Sequence, residues 1–143
     1  MRITTKGRYA LRAILYLINC SDEKPISIKI LSEHTQLSPE FLEQIFFRLR
    51  KADIITSTRG PGGGFRFIKS AEDISVNDIF LAVDEGYHVA PCTEKDPEKA
   101  DCAFADDCIA CDFWKYTNQL FVDYFSKVTL QDVIDKKFPG LTE

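Results

Sequence analysis

The run Arg59-Gly60-Pro61-Gly62-Gly63-Gly64 constrains the fold more than any other stretch of the chain. Glycine and proline at this density break both helices and strands. The flanking segments, Ile54-Ile55-Thr56-Ser57-Thr58 and Phe65-Arg66-Phe67-Ile68, are rich in β-branched and aromatic residues. Together they predict a β-hairpin whose tip is bare except for one arginine. Bare backbone approaches another surface closely, and a single arginine there suits a wing laid against a duplex. An ordinary flexible hairpin is the plainer reading, and Arg59 argues against it. A phosphate-binding loop is excluded, because no Gly-Lys-Ser/Thr follows and the next element is a strand.

Upstream, apolar residues recur at helical spacing in three segments. Tyr9, Ala10, Ala13, Ile14, Leu17 and Ile18 mark a helix that Thr4 or Thr5 caps and that runs to about Cys20. Arg2, Lys6, Arg8 and Arg12 crowd its start, either as a solvated face or as a phosphate-contacting one. After the turn Asp22-Glu23-Lys24-Pro25, Ile28 and Leu31 mark a short helix from Ser27 to Thr35. Ser38-Pro39 then opens a third helix, serine capping orphan amides and proline losing nothing at the first helical position. Phe41, Leu42, Ile45, Phe46 and Leu49 form its buried stripe, leaving Glu40, Glu43, Gln44, Arg48 and Lys51 on other faces. Two short helices joined by a tight turn and followed by a hairpin predict a winged helix-turn-helix.

Beyond the hairpin, Ser75 and Asp78 cap a short helix carrying Val76, Ile79, Phe80, Ala82 and Val83. Residues 86–110 follow neither a helical nor a strand period. From about Cys111 an aromatic helix carries Phe113, Trp114, Leu120, Phe121, Tyr124 and Phe125, and Thr129 caps a last short helix. The apolar surface of the aromatic helix is too broad for so small a domain to cover, which predicts a homodimer. The expected fold is thus mainly α with a small β-hairpin wing, plus a long C-terminal dimerisation helix. It divides into a winged domain over 1–84, a cysteine-rich loop over 85–111, and dimerisation and terminal helices over 112–143.

Charge divides the chain in the same place. The net charge of the 143 residues is −4, yet residues 1–69 hold 12 Lys and Arg against 6 Asp and Glu, while residues 70–143 hold 6 against 16. A basic half suits a polyanion such as double-stranded DNA, and the acidic half must serve another purpose. The run Ala13-Ile14-Leu15-Tyr16-Leu17-Ile18 is too short to span a bilayer and no cleavage-site pattern follows it, so no membrane association is expected and the location expected is the cytoplasm. In that reducing compartment clustered thiols read as metal ligands before disulfides. No nucleophile–base pair or cofactor fingerprint is present, so neither an enzyme nor a small-molecule substrate is expected.

Four of the 5 cysteines, Cys92, Cys102, Cys108 and Cys111, form the spacing C-x9-C-x5-C-x2-C. Thiolates are soft ligands for an iron–sulfur cluster or zinc. Zinc usually takes two C-x2-C knuckles, and only Cys108/Cys111 makes one here, so iron–sulfur is favoured, with zinc and metal-free thiol chemistry left open. Cys20, in the apolar context of the first helix, reads as a buried small hydrophobe. His34 and His88 read as exposed polar residues, His88 being a lesser candidate ligand.

In order along the chain, Met1-Arg2-Ile3-Thr4-Thr5-Lys6-Gly7-Arg8-Tyr9-Ala10, Leu42-Glu43-Gln44, Arg48-Leu49-Arg50-Lys51, the glycine-rich tip and Ala82-Val83-Asp84-Glu85 resemble the Rrf-two superfamily of winged-helix regulators, and its IscR branch in particular. The resemblance implies a dimeric transcription regulator, a repressor or a dual regulator, that senses iron–sulfur or redox status. It implies that the third helix enters the major groove through Ser38, Phe41, Glu43 and Gln44, and that Arg59, Gly60 and Pro61 contact DNA from the wing. It also implies a [2Fe–2S] cluster, with [4Fe–4S] left open. That branch uses histidine as fourth ligand three residues past the third cysteine, where this chain has Cys111, and its first cysteine gap is shorter. An all-cysteine site of low potential is therefore expected. An iron–sulfur carrier or electron-transfer protein is the rival reading, and it leaves Arg59 and the glycine tip without a purpose.

Overall fold

The computed structural model describes residues 3–20, 24–94, 98, 101–104 and 107–140. Met1 and Arg2 of the opening motif and Asp22 and Glu23 of the first turn lie outside them. The elements in order are α1 (Thr5–Cys20), α2 (Ile28–Thr35), α3 (Pro39–Lys51), β1 (Ile55–Thr58), β2 (Gly64–Phe67), α4 (Val76–Ala82), α5 (Cys111–Lys127) and α6 (Leu130–Asp135). Single 3-10 turns precede α4 at Ala71–Asp73 and lie in the long loop at Pro91–Thr93.

Capping residues stop and start the elements where the sequence places them. Ser27 and Ser38 accept the amides of Ile30 and Phe41, and Gln36 turns left-handed at φ 57° to end α2. Ser75 with Asp78, and Thr129 with Asp132, form reciprocal capping boxes on α4 and α6. The start of α1 differs from expectation. Neither Thr4 nor Thr5 caps it through its own hydroxyl; the cap is the carboxylate of Glu85, which accepts the amides of Thr4 (2.7 Å) and Gly7 (3.0 Å) and the hydroxyl of Thr4.

The core is built where α1, α2 and α3 cross. Ala13, Ile14, Leu17, Leu31, Leu42, Phe46 and Leu49 are sealed from solvent there, and Ile55, Ile79 and Val83 close it from the hairpin and α4. The strands pair antiparallel with Ile55 opposite Phe67 and Thr58 opposite Gly64. Ile26 adds a one-residue third strand, exchanging two 2.8 Å backbone hydrogen bonds with Phe65. Only glycine fits at 64, where a Cβ would stand 2.3 Å from the Ile26 carbonyl oxygen.

A second apolar cluster joins α4 to α5. Phe80, Tyr87 and Phe125 meet edge to face, with centroids 5.2 to 5.9 Å apart. The chain then returns to the first core, since Leu130 of α6 is buried there and its amide bonds to the Ile74 carbonyl at 2.8 Å. Among the described residues no helix is long and apolar enough to cross a membrane.

Cys20 is the one cysteine whose surroundings differ from expectation. Asn19 and Cys20 lie in the last turn of α1, past the final core residue Leu17, and both face outward. The Cys20 thiol hydrogen-bonds to Tyr16, and that bond, then burial and the thiol's charge, push the phenol up to about 12.

Candidate nucleic-acid interface and thiol loop

α3 presents a polar, solvent-facing stripe opposite its buried one. Glu43 and Gln44 lie on it, and with Glu40, Phe47, Arg48, Lys51 and Ala82 they line an open groove of about 740 Å³. Ser38 is exposed at the head of the helix, its hydroxyl occupied by the cap at 3.2 Å from the Phe41 amide. Phe41 is half-buried and packs edge-on against Tyr9, centroids 5.9 Å apart, so its ring faces α1 rather than the open groove. Arg48, Arg50 and Lys51 crowd the last turn, where positive charge complements the helix dipole.

The wing stands beside this helix. Arg59, Gly60 and Pro61 are exposed at its tip, and the Gly63 amide closes the turn on the Gly60 carbonyl at 2.9 Å. Gly60 holds φ +93°, a conformation that glycine adopts without strain. The Arg50 guanidinium donates to Ser57 of β1 at 3.1 Å, which ties the end of α3 to the wing. Helix and tip are therefore held as a unit.

The cysteine loop is fastened at both ends. At its start, the Lys6 ammonium donates to the Asp84 carbonyl at 2.5 Å, and Glu85 is only 4% exposed beneath the first turn of α1. Farther on, the Val89 amide donates to buried Asn118 of α5 at 3.2 Å. His88 Nδ1 donates to the Thr93 carbonyl at 3.1 Å, and its Nε2 lies 3.2 Å from Glu94, so both ring nitrogens are engaged within the loop.

The four candidate ligands differ in burial. Cys111 opens α5 and is buried, whereas Cys92, Cys102 and Cys108 are half-buried. Burial pushes the Cys92 thiol up, and a hydrogen bond with Cys111 and the charges of Cys111 and Cys102 add to the rise. Cys108 sits one turn ahead, its carbonyl accepting the Cys111 amide at 3.0 Å. The Lys115 ammonium is held above its ordinary value, chiefly by its hydrogen bond to Cys111. Among the described residues, no three Cys, His, Asp or Glu side chains form a ready-made ion cage. The donor chemistry nevertheless suits an iron–sulfur cluster: four soft thiols lie on one loop and at the start of α5, with the Lys115 ammonium one turn past Cys111.

Comparison with known proteins places the chain in a family. Residues 3–136 match the family model Rrf2, described as an iron-dependent transcriptional regulator. The chain belongs to the Rrf2 family. The HTH-type transcriptional regulator IscR of Pectobacterium carotovorum subsp. carotovorum is 36% identical over 137 residues, covering 96% of this chain and 81% of the relative. Among solved structures, T. potens IscR superposes with a TM-score of 0.74 at 27% identity, covering 100% of this chain and 93% of that one. CymR, the global cysteine regulator of B. subtilis, gives a TM-score of 0.73 at 26% identity, covering 95% and 98%. This Rrf2 chain is accordingly a DNA-binding transcription regulator with a winged helix-turn-helix, and not an enzyme.

Three residues of the Rrf2 chain escape sequence reasoning. Glu85 caps a helix about eighty positions earlier in the chain, and its only local trace is a glycine in the first turn of α1. Lys115 is one turn past Cys111, a spacing that hints at contact but does not single it out among surface lysines. Phe47 is an aromatic on the polar stripe of α3, detectable by placing it on a helical wheel.

Proposed function

We propose that this Rrf2 regulator binds operator DNA as a homodimer and that an iron–sulfur cluster held by Cys92, Cys102, Cys108 and Cys111 controls which operators it binds. The carrying observation is that the four thiols lie on one loop and at the start of α5, a loop that is fastened to α1 by Glu85 and to α5 by Asn118. When bound, the cluster supplies redox and ligand-loss sensitivity, with [2Fe–2S] the favoured form and repression the favoured outcome. The setting is the cytoplasm, and no small molecule serves as substrate.

In this reading residues 1–84 are the DNA-binding domain, 85–111 the sensing loop and 112–143 the dimerisation and terminal helices. Phe113 (60% exposed), Tyr116 (68%) and Leu120 (51%) leave an apolar face on α5, for which a second copy is the natural cover. Ordering the sensing loop fixes the start of that helix and hence the separation of the two α3 helices. Half-sites roughly 34 Å apart demand a set spacing, so a small change in dimer geometry changes the operators bound. Glu43 and Gln44 would meet base edges, cytosine N4 and adenine respectively, with Ser38 at the head of α3 and Phe41 behind them, and Arg59, Gly60 and Pro61 would meet the minor groove.

A second reading keeps the fold and removes the metal: thiol chemistry or a partner protein sets the dimer. The contact between Cys92 and Cys111 favours it, as does the likeness to CymR. One experiment separates the two. Protein purified without air is expected to show visible absorption, iron and sulfide, and Cys92→Ala is expected to lose all three together with cluster-dependent DNA binding. A colourless, iron-free dimer that binds promoters normally supports the second reading and ends the first.

A further inference from the structure

We infer that Phe47 reads thymine, packing its ring on the 5-methyl group of a base in the major groove. The inference rests on the reading of α3 as the groove-entering helix. At about 100° per residue, the core side chains Leu42, Ile45, Phe46 and Leu49 occupy one side of α3, and Phe47 falls almost directly opposite them, flanked by Gln44 and Lys51. The contrast with its neighbour shows the difference: Phe46 is 0% exposed and Phe47 is 53% exposed. A phenyl ring held in water by a short, well-packed helix contributes nothing to this fold's core. Its use lies in what covers it.

The surroundings state the chemistry of that cover. The Arg50 guanidinium carbon lies over the Phe47 ring, 5.8 Å from its centre, and the Lys51 ammonium 6.0 Å from it, so two cations accompany the apolar ring. The ring forms one wall of the groove that Glu43, Gln44 and Arg48 also line. The matching surface is therefore apolar at one point and anionic around it, which describes a thymine methyl between phosphates. A phenyl group neither donates nor accepts a conventional hydrogen bond, and the thymine methyl is the one apolar mark that base edges display in the major groove. The basic excess of residues 1–69 selects DNA over an apolar protein partner. Glu43 and Gln44 precede Phe47 by four and three residues on the same face, so a contact by Phe47 would fall beside the base pairs that they address.

The test uses the full chain purified without air. Duplexes are selected from a random library by the wild-type protein and by Phe47→Ala, and each thymine of the wild-type consensus is then replaced singly by deoxyuridine, which removes only the methyl group. The expected result is that deoxyuridine at one thymine of each half-site weakens wild-type binding roughly 3- to 10-fold, the order for burying one methyl. Phe47→Ala then binds both duplexes alike and selects a motif degenerate at that position. If every deoxyuridine duplex binds wild type as well as its parent does, the inference is overturned while the groove reading of α3 stands. If Phe47→Ala weakens all duplexes equally and keeps the thymine preference, Phe47 touches backbone or a protein instead, and the inference again falls. Failure of the wild-type protein to select any motif removes the groove reading, and this inference with it. The deoxyuridine series needs no variant, so a misfolded Phe47→Ala does not obscure the answer.

Discussion

Glu85 fills the space that a side chain on Gly7 would need. A Cβ at Gly7 falls 2.7 Å from Glu85 Cγ, while the carboxylate itself accepts the Gly7 amide at 3.0 Å. Glu85 is nearly sealed from water, and its charge is met there by two amides, the Thr4 hydroxyl and the positive end of α1. The residue also begins the loop that carries Cys92, so the same contact that starts α1 anchors the thiols to the DNA-binding head.

Gly7→Ala is therefore expected to act against the general rule. Alanine inside an exposed helix usually stabilises by about 1 kcal/mol over glycine. Here the added methyl displaces a buried carboxylate from its amides, and a loss of about 1–3 kcal/mol is expected instead. Urea unfolding followed by circular dichroism measures it. A midpoint equal to or above that of wild type would show that the carboxylate moves aside at no cost.

The wing separates two kinds of loss. Arg59 is exposed and its side chain makes no hydrogen bond or ion pair among the described residues, so Arg59→Ala is expected to leave unfolding unchanged and to weaken operator binding by about 1–3 kcal/mol. Gly64 holds φ +152° with no room for a Cβ against the Ile26 carbonyl, so Gly64→Ala is expected to cost more than ~2 kcal/mol of stability and to unpair Phe65 from Ile26. Fluorescence anisotropy with a labelled operator, beside thermal melts, reads both. Equal binding by Arg59→Ala and wild type would take the wing out of the interface.

Local signals made most of this fold legible. Ser38-Pro39, the Ser75/Asp78 box, the Thr129 cap and the glycine tip each act within a few residues of themselves, and each is where the sequence placed it. The exposure of Glu43, Gln44 and Arg59 followed from helical and hairpin periods in the same way. What was illegible depends on distant packing. Nothing near Thr4 announces that its amide is capped from position 85, and the outward turn of Cys20 depends on where the neighbouring helices stop. The C-x9-C-x5-C-x2-C spacing names four thiols but not how the loop that carries them is pinned, because its partners Gly7 and Asn118 lie far away in sequence. Asp106, one of the acidic residues there, lies outside the described residues.

α6 carries a pH dependence of known sign. The Thr129 backbone amide, at 2.9 Å, and then its hydroxyl, at 2.8 Å, donate to the Asp132 carboxylate and hold it below its ordinary value, with Lys137 adding to the effect. A carboxyl depressed on folding stabilises above its unfolded value, near 3.8, and loses that contribution as pH falls through the lower folded value. Asp132→Asn is accordingly expected to be less stable than wild type at neutral pH, with the gap closing as the pH drops below about 4. Melting temperatures of both proteins across pH 2–7 give the comparison. A gap that stays constant with pH would mean that the box works through hydrogen-bond geometry alone and that the charge is idle.

Cys111 offers the sharpest test of the proposed cluster ligands. It opens α5 and is 7% exposed, where the proposed sensing loop meets the proposed dimer helix. Cys111→Ala is expected to lose iron and sulfide when purified without air, whereas Cys111→His is expected to keep them. Because a neutral imidazole replaces a thiolate, the histidine variant is also expected to have a reduction potential higher by the order of 100 mV, and one that varies with pH near neutrality where the wild type does not. Iron and sulfide counts with redox titrations at two pH values supply the readouts. A Cys111→Ala protein that keeps its full iron would remove Cys111 from the ligand set and leave its contact with Cys92 a matter of packing.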